Sequence, residues 1–387
     1  MFNFGRADRS ALADWWWTVD RALLAAILCL AVFGIVFSMA ASPPVAAKLG
    51  LDEFHFVKRQ AVFVVAGLGL MVAVSLASPR LMRRIALAVF VVGLAAMVLA
   101  LFQGAEIKGA RRWLDIGSFS LQPSEFVKPA FVLLAAWMFA EGKRRPEIPG
   151  VAMATGMLAL VATLLLLQPD VGQTLLLALV WGALLFMAGM SWRWVGGLAG
   201  LGAAGFVTAY LTVPHVTERV DRFLDPASGD TYQVDTALEA VTRGSWFGRG
   251  PGEGTIKRVL PDSHTDFVFA VTAEEFGIIV CLALLAVFAF IVLRVLYRSF
   301  REHDIFIRFA ASGLVVMFGL QAVINMGVNL ALLPAKGMTL PLISAGGSST
   351  LSICYALGMV VGLTRRRVGA EAMIGGGLLE SGNRWHA

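Results

Sequence analysis

Charge is scarce in this chain: of 387 residues only 15% are Asp, Glu, Lys or Arg, while 58% are hydrophobic and the mean hydropathy is +0.76. Apolar runs of about 18 residues or more recur along it, which points to a polytopic membrane protein and away from a water-soluble domain. Cysteine is scarcer still. Cys29, Cys281 and Cys354 all lie inside apolar runs with no ligand spacing between them, so neither a disulfide framework nor a zinc site is indicated. No G-x-x-x-x-G-K-[ST] segment follows a strand-like run, and there is no haem motif and no Ser/His/Asp order. No repeat of fixed period is visible, which weakens an inverted-repeat transporter architecture. The first apolar run follows some twenty residues that include Trp15, Trp16, Trp17 and several charges, so it reads as a retained span and not as a cleaved signal.

What is present divides into ten apolar runs, at 21–41, 57–76, 84–102, 123–140, 150–167, 171–189, 194–212, 267–294, 306–333 and 344–364. The expected fold is therefore all-α: a polytopic integral membrane protein of about ten transmembrane helices, with a large extracytoplasmic loop, 213–266, between helices seven and eight. The formal net charge is +6, but the basic residues sit in short clusters between spans, as topology signals do, so no nucleic-acid partner is expected. Arg80, Arg83 and Arg84, then Lys143, Arg144 and Arg145, then Arg193, then Arg294, Arg298, Arg301 and Arg308, and finally Arg365 to Arg367 occupy alternate connections. The positive-inside rule makes these cytoplasmic, together with both termini. The segments 1–20 and 368–387 read as tails, with the three tryptophans anchoring the first span at the headgroups. Within the long loop, Tyr232 to Arg243 has helical character. The glycines at 244, 248, 250, 252 and 254 that follow suggest a flexible backbone.

Four polar patches face the side opposite the basic clusters. The first, KGARRWLDIGSFSLQPSE with Lys128 one turn on, holds Lys108, Arg111 and Arg112, suited to phosphate oxygens, and Glu125, which can pair with Lys128 on one helix face. It reads as a surface loop leading into a helix. The second, QPDVGQ, is a tight turn whose Asp170 can cap the following helix. The third, LPDSHTDFVFAVTAEE, is preceded by Lys257 and Arg258. It sets His264, Thr265 and Asp266 at the mouth of a span, with Glu274 and Glu275 two turns inside. A carboxylate held in hydrocarbon needs a partner or a wet cavity, so such residues mark function by default. Thr265 or Asp266 can also cap that helix. The fourth, PAKGMTLPLISAGGSS, carries Lys336, Ser344 and Ser348, and its Gly346 and Gly347 expose backbone N–H groups near a positive helix end. Cations and carboxylates thus gather on one side of the bilayer, an arrangement suited to a lipid-linked diphosphate and a proton acceptor.

These four segments, in this order, resemble the SEDS family (shape, elongation, division and sporulation) over residues 20–367. Lys257 and the Lys336-Gly337 pair look more like the division branch than the elongation branch, while Ala345 stands where the family commonly has an aromatic residue. The resemblance implies a peptidoglycan glycosyltransferase polymerising lipid II, the undecaprenyl-pyrophosphate-linked disaccharide-peptide, at the outer face of the bacterial cytoplasmic membrane at the septum. It further implies a class B penicillin-binding protein as partner (a septal transpeptidase of FtsI type), with other divisome proteins. The family's essential aspartate maps onto Asp266 as general base, with Arg111, Arg112, Lys128 or Lys336 steadying the leaving diphosphate. Whether a divalent cation, magnesium or manganese, assists is open at this stage, as are a lipid II flippase and a non-catalytic division scaffold.

Overall fold

The fold was taken from a computed structural model, which describes residues 10–107, 109–117, 119–212, 216–217, 220–221, 232–334 and 337–365. Before the first expected span lies a short helix, α1 (Ala11–Thr18), inside what reads in sequence as a tail; Trp15 is buried there and donates its Nε1–H to Ser75 Oγ at 2.7 Å. Trp16 and Trp17 remain exposed, with the Arg21 guanidinium about 5 Å from both rings. Helices then follow at α2 (Arg21–Ala41), α3 (Pro43–Lys48), α4 (His55–Leu76), α5 (Pro79–Gln103), α6 (Pro123–Arg144), α7 (Gly150–Leu167), α8 (Val171–Met187) and α9 (Trp192–Thr212). The long segment after α9 contributes α10 (Tyr232–Gly244), and α11 (Val268–Phe300), α12 (Ile305–Asn329) and α13 (Gly347–Thr364) follow. Seven of these are long and apolar enough to cross a membrane by length and composition alone: α2, α4, α5, α7, α11, α12 and α13. α8 and α9 are apolar but shorter over their uncharged stretches, and α6 is long but carries Glu125 and Lys128 in its first two turns.

The centre of the bundle is made by α6, α12 and α13. In α12 and α13, 72% and 78% of the apolar window is buried within the protein, against 22% in α5 and α7, so the latter two face lipid. Pro123 starts α6 at a position where no N–H is needed. Pro129, inside the same helix, removes the N–H that would have met the carbonyl of Glu125. In an apolar surrounding that carbonyl must find another donor. It does: Ser352 Oγ on α13 donates to it at 2.6 Å, and the proline gap becomes a joint between two central helices.

Two departures from the sequence reading shape the Asp266 end. The stretch between α5 and α6 is an antiparallel meander, β1 (Ala105–Ile107), β2 (Ala110–Ile116) and β3 (Phe119–Leu121), with Glu106 opposite Arg111 and Asp115 opposite Ser120. And α11 is broken at Gly277, where φ is +83° and ψ 173°. At the break the chain after α10 crosses the helix: Ile278 N–H bonds Ser245 O at 3.0 Å, and Gly250 N–H bonds Glu275 O at 3.0 Å. A Cβ at Gly277 would lie 2.4 Å from Gly248 N, and one at Gly248 2.1 Å from Glu275 O. Those glycines permit two backbones to touch, a tighter role than the flexibility suggested by their clustering.

Candidate functional site

Asp266 lies in the turn that leads into α11. Asp262 begins the turn in the left-handed region (φ +51°), which Asp tolerates, and its carbonyl accepts from the N–H groups of Thr265 and Asp266 at 3.0 and 3.1 Å. Neither Thr265 nor Asp266 caps the helix, contrary to the simplest reading of the sequence. The cap comes from α12, where Asn329 Oδ1 accepts from Ala270 N–H at 3.0 Å. Asn325 and Asn329 then each donate an Nδ2–H to the Asp266 carbonyl at 2.9 Å. Two amides from the central helix therefore fix the Asp266 backbone. A Cβ on Gly337 would lie 3.3 Å from Asp266 Oδ2, so the carboxylate sits close against the segment before α13.

That segment is sewn to the same turn. Ala345 N–H bonds His264 O at 2.9 Å, Ser344 Oγ donates to Thr265 O, and Asn325 Nδ2 bonds Met338 O at 2.6 Å. From α4, Gln60 Nε2 reaches Ser344 O at 3.2 Å, and from the sheet side Ser348 Oγ donates to Ser120 O at 3.2 Å. The first, third and fourth polar patches of the sequence therefore meet. The second joins through Arg112, whose Nε donates to Gln168 O at 2.8 Å and whose Nη1 meets Asp170 Oδ2 at 3.1 Å. Successive residues of a strand point to opposite faces. So Arg112 pins the α7–α8 turn while its neighbour Trp113 faces a cleft on the other side.

This cleft, about 180 Å³, is lined by Phe56, Arg59, Trp113, His264, Gly346 and Gly347 among others. It shares Arg59 and Phe63 with a wider groove of about 570 Å³, whose walls include His55, Lys58, Val62 and Phe119. His264 lies tilted against Phe56 with ring centroids 4.8 Å apart and planes at 42°, and its buried Nδ1 has no hydrogen-bond partner among the described residues. Burial pushes its pKa below 6.5, against the opposing charge of Asp262, so the ring is neutral around pH 7. Arg59 is exposed, lies 5.8 Å from the centroid of the Phe63 ring, and forms no ion pair among the described residues. The cleft also opens on the N-terminus of α13 at Gly347, an end that favours anions.

Residues 21–368 match the family described as cell cycle protein, FTSW_RODA_SPOVE. The chain belongs to that family. It is 47% identical over 373 residues to the probable peptidoglycan glycosyltransferase FtsW of Caulobacter vibrioides, covering 96% of each chain. It is 37% identical over 378 residues to the protein of the same description from Halorhodospira halophila, covering 94% of this chain and 93% of that one. Among solved structures, a peptidoglycan synthase complex that coordinates polymerisation and crosslinking contains a chain that aligns with a TM-score of 0.74 at 28% identity, covering 89% of this chain and 97% of that one. Thermus thermophilus rod shape determining protein RodA aligns at 0.66 and 28%, covering 90% of this chain and 97% of that one.

Within this family member, most of the residues named from sequence besides Asp266 fall into three groups. His264, Gly346 and Gly347 line the cleft. Thr265, Ser344 and Ser348 hold backbone around it. Glu125, Lys128, Asp170, Lys257 and Glu275 are buried and, with Arg112, make internal contacts, while Glu125 Oε2 is buried with no hydrogen-bond partner among the described residues. Lys128 bonds Glu125 Oε1 and Gln173 Oε1, both at 2.8 Å. Lys257 bonds Glu275 and the carbonyl of Ala40. Arg111 is exposed and pairs with Glu106 at 3.3 Å, away from the cleft lining. Lys108 and Lys336 lie outside the described residues. The sequence reading missed Arg59, Gln60 and Phe63, which line the cleft. The signal was there: Lys58, Arg59 and Gln60 interrupt the polar end of an otherwise apolar run.

Proposed function

We propose that this chain is a peptidoglycan glycosyltransferase of the division branch, polymerising lipid II at the outer face of a bacterial cytoplasmic membrane. On this reading the Asp266 end faces outward and both termini face the cytoplasm. The protein works at the septum with a crosslinking class B penicillin-binding protein. Support comes from the family, from the FtsW-named relatives, and from the likeness to a chain of a synthase complex.

The observation that carries the chemistry is the clamping of the Asp266 carbonyl by Asn325 and Asn329. A general base must be held within reach of the proton that it removes, and this backbone has little freedom. Asp266 takes the proton of the acceptor sugar's 4-hydroxyl; that oxygen bonds to the donor's anomeric carbon while the bond to the diphosphate breaks, with inversion. The departing undecaprenyl diphosphate carries the negative charge, which Arg59 and the N-terminus of α13 are suited to stabilise. The adjoining groove, with Val62, Phe63 and Phe119 beside Lys58 and Arg59, suits a prenyl chain entering from lipid with an anionic head. No three His, Cys, Asp or Glu side chains converge among the described residues.

A flippase would need ionisable groups available along a path between the bilayer faces. The buried charges instead pair locally, Lys128 with Glu125 within α6 and Glu275 of α11 with Lys257 of the loop before it. The test is incubation of the purified protein, with and without its crosslinking partner, with labelled lipid II. Glycan strands are expected from the wild type and none from Asp266→Asn of equal thermal stability. Strands at the wild-type rate from that variant would refute the base assignment, and transfer of lipid between leaflets without strands would favour the flippase.

A further inference from the structure

We propose that the segment Ser245 to Gly250 dips into the leaflet on the Asp266 side, with Trp246 and Phe247 embedded among phospholipid acyl chains, so that the membrane itself is the binding partner of this outer loop. Trp246 is 61% exposed and Phe247 83%, the largest exposure of any large apolar side chain described. Two aromatic rings offered so openly on a loop require an explanation that a lone surface Leu would not.

Their depth can be read from the helices. At the opposite end of the bundle Arg294 Nε bonds Asp20 Oδ2 at 2.6 Å and Arg298 joins the same carboxylate at 2.8 Å. This charged cluster cannot lie deep in hydrocarbon, so it marks the membrane boundary on that side or a level outside it. From Arg294 the helix runs unbroken up to Ile279, whose N–H bonds the carbonyl of Trp246 at 3.3 Å. At 1.5 Å per residue that rise is roughly 22 Å, whereas the hydrocarbon core is about 30 Å thick. Trp246 therefore joins α11 roughly 8 Å short of the far boundary. α2 serves as a second ruler. It starts at the same Asp20 and reaches Ala40, whose carbonyl holds Lys257 Nζ at 3.0 Å, after roughly 30 Å. The end of the polar loop thus returns to the boundary level while its aromatic tip lies below it.

The surface around the tip agrees. Ile279, Leu282 and Leu285 of α11 are 45%, 53% and 43% exposed, and they form the lipid-facing flank that Trp246 and Phe247 extend. Arg243 and Arg249 flank the pair, both exposed, and such long cationic chains reach back toward headgroups when their stems lie in hydrocarbon. Much of the segment's backbone polarity is met within the protein. The carbonyls of Ser245 and Trp246 accept from α11, and the N–H groups of Gly248, Arg249 and Gly250 donate to Gly244, Glu274 and Glu275.

The experiment is site-directed spin labelling of the full chain in phospholipid nanodiscs, in a background of Cys29→Ala, Cys281→Ala and Cys354→Ala. Labels are placed by Phe247→Cys, by Leu282→Cys as the lipid reference and by Glu53→Cys as the aqueous reference. The label at 247 is expected to match that at 282, with collision by oxygen exceeding collision by a water-soluble nickel chelate severalfold. A label that behaves like that at 53, or one shielded from both reagents by a second copy or another protein, overturns the proposal. Should the cysteine-free chain not fold, the native chain and Trp246→Phe are compared in nanodiscs of mid-chain brominated lipid. Quenching of total tryptophan emission must be smaller in the variant, and equal quenching overturns the proposal. Neither readout depends on glycan synthesis, so failure here and failure of the enzymatic assignment are distinct.

Discussion

Lys257 and Arg59 are both cations at the Asp266 end, and they have opposite surroundings. Lys257 is 5% exposed, bonds Glu275, and draws the chain after α10 against the end of α2 through Ala40. Arg59 is exposed, stands beside the cleft and has no ion-pair partner among the described residues. In a chain with so few charges, one class closes the structure and the other is available to a ligand. The buried lysines arrive with counter-groups, Lys128 with Glu125 and Gln173 and Lys257 with Glu275; part-buried Arg112 meets Asp170, and buried Glu274 is held instead by the N–H groups of Thr255 and Ile256.

The sharpest way to break this division is to remove one member of a closed pair. Lys257→Met leaves the Glu275 carboxylate buried, and loss of a partner in such a pair costs about 3–5 kcal/mol. A fall of that size is expected in unfolding experiments in lipid or detergent. The double variant Lys257→Met with Glu275→Gln should recover more than half of it, since no charge is then stranded. A single variant as stable as wild type would show that the pair does not hold the loop.

Arg59→Ala should do the reverse. An exposed side chain outside such networks changes stability by about 0.5 kcal/mol or less. Loss of one preorganised group facing a leaving diphosphate slows the reaction by about 10²-fold. Lipid II polymerisation and thermal stability measured on the same preparation separate the two effects. A variant that is unstable and fully active per folded molecule would move Arg59 into the structural class.

The apolar helices were legible because membrane thickness sets their length, and the span at 21–41 coincides with α2. The pairing of Glu125 with Lys128 was legible too, being a three-residue spacing on one helix. What sequence could not supply were partners distant along the chain. The pairing of Glu275 with Lys257 joins residues 18 apart across a turn, and Asp266 looks like a helix cap until Asn329 takes that place. The break in α11 is invisible for the same reason, because it exists to let Gly248 cross Gly277. The small sheet escaped because strands of 3, 7 and 3 residues carrying Arg, Asp and Ser resemble a polar loop.

Ser352→Ala probes the joint at Pro129. It removes the donor that replaces the missing proline N–H and leaves the Glu125 carbonyl unpaired between two helices. The cost is about 1–3 kcal/mol, smaller than that of stranding a charge, and is read from unfolding midpoints. Ser352→Thr, which keeps the hydroxyl, should recover part of it. Equal losses in both variants would trace the effect to crowding, not to the hydrogen bond.

The smallest expected effect belongs to His264, which lies on the open side of the division but is itself mostly covered. Burial holds its folded-state pKa below the unfolded value of 6.5. The unfolded chain therefore takes up a proton first as pH falls, and stability contributed by the neutral ring, complete above about pH 6.5, is lost on acidification through the folded-state pKa. Asp262 is the nearby charge opposing this depression, so the shift should deepen in Asp262→Asn. His264→Gln keeps a polar side chain against Phe56 but cannot titrate. The unfolding midpoint of the wild type should thus fall more steeply than that of His264→Gln between neutral and mildly acid pH. Parallel curves would mean that His264 is no more buried in solution than Arg59, and the cleft would then be wider and wetter than its lining implies.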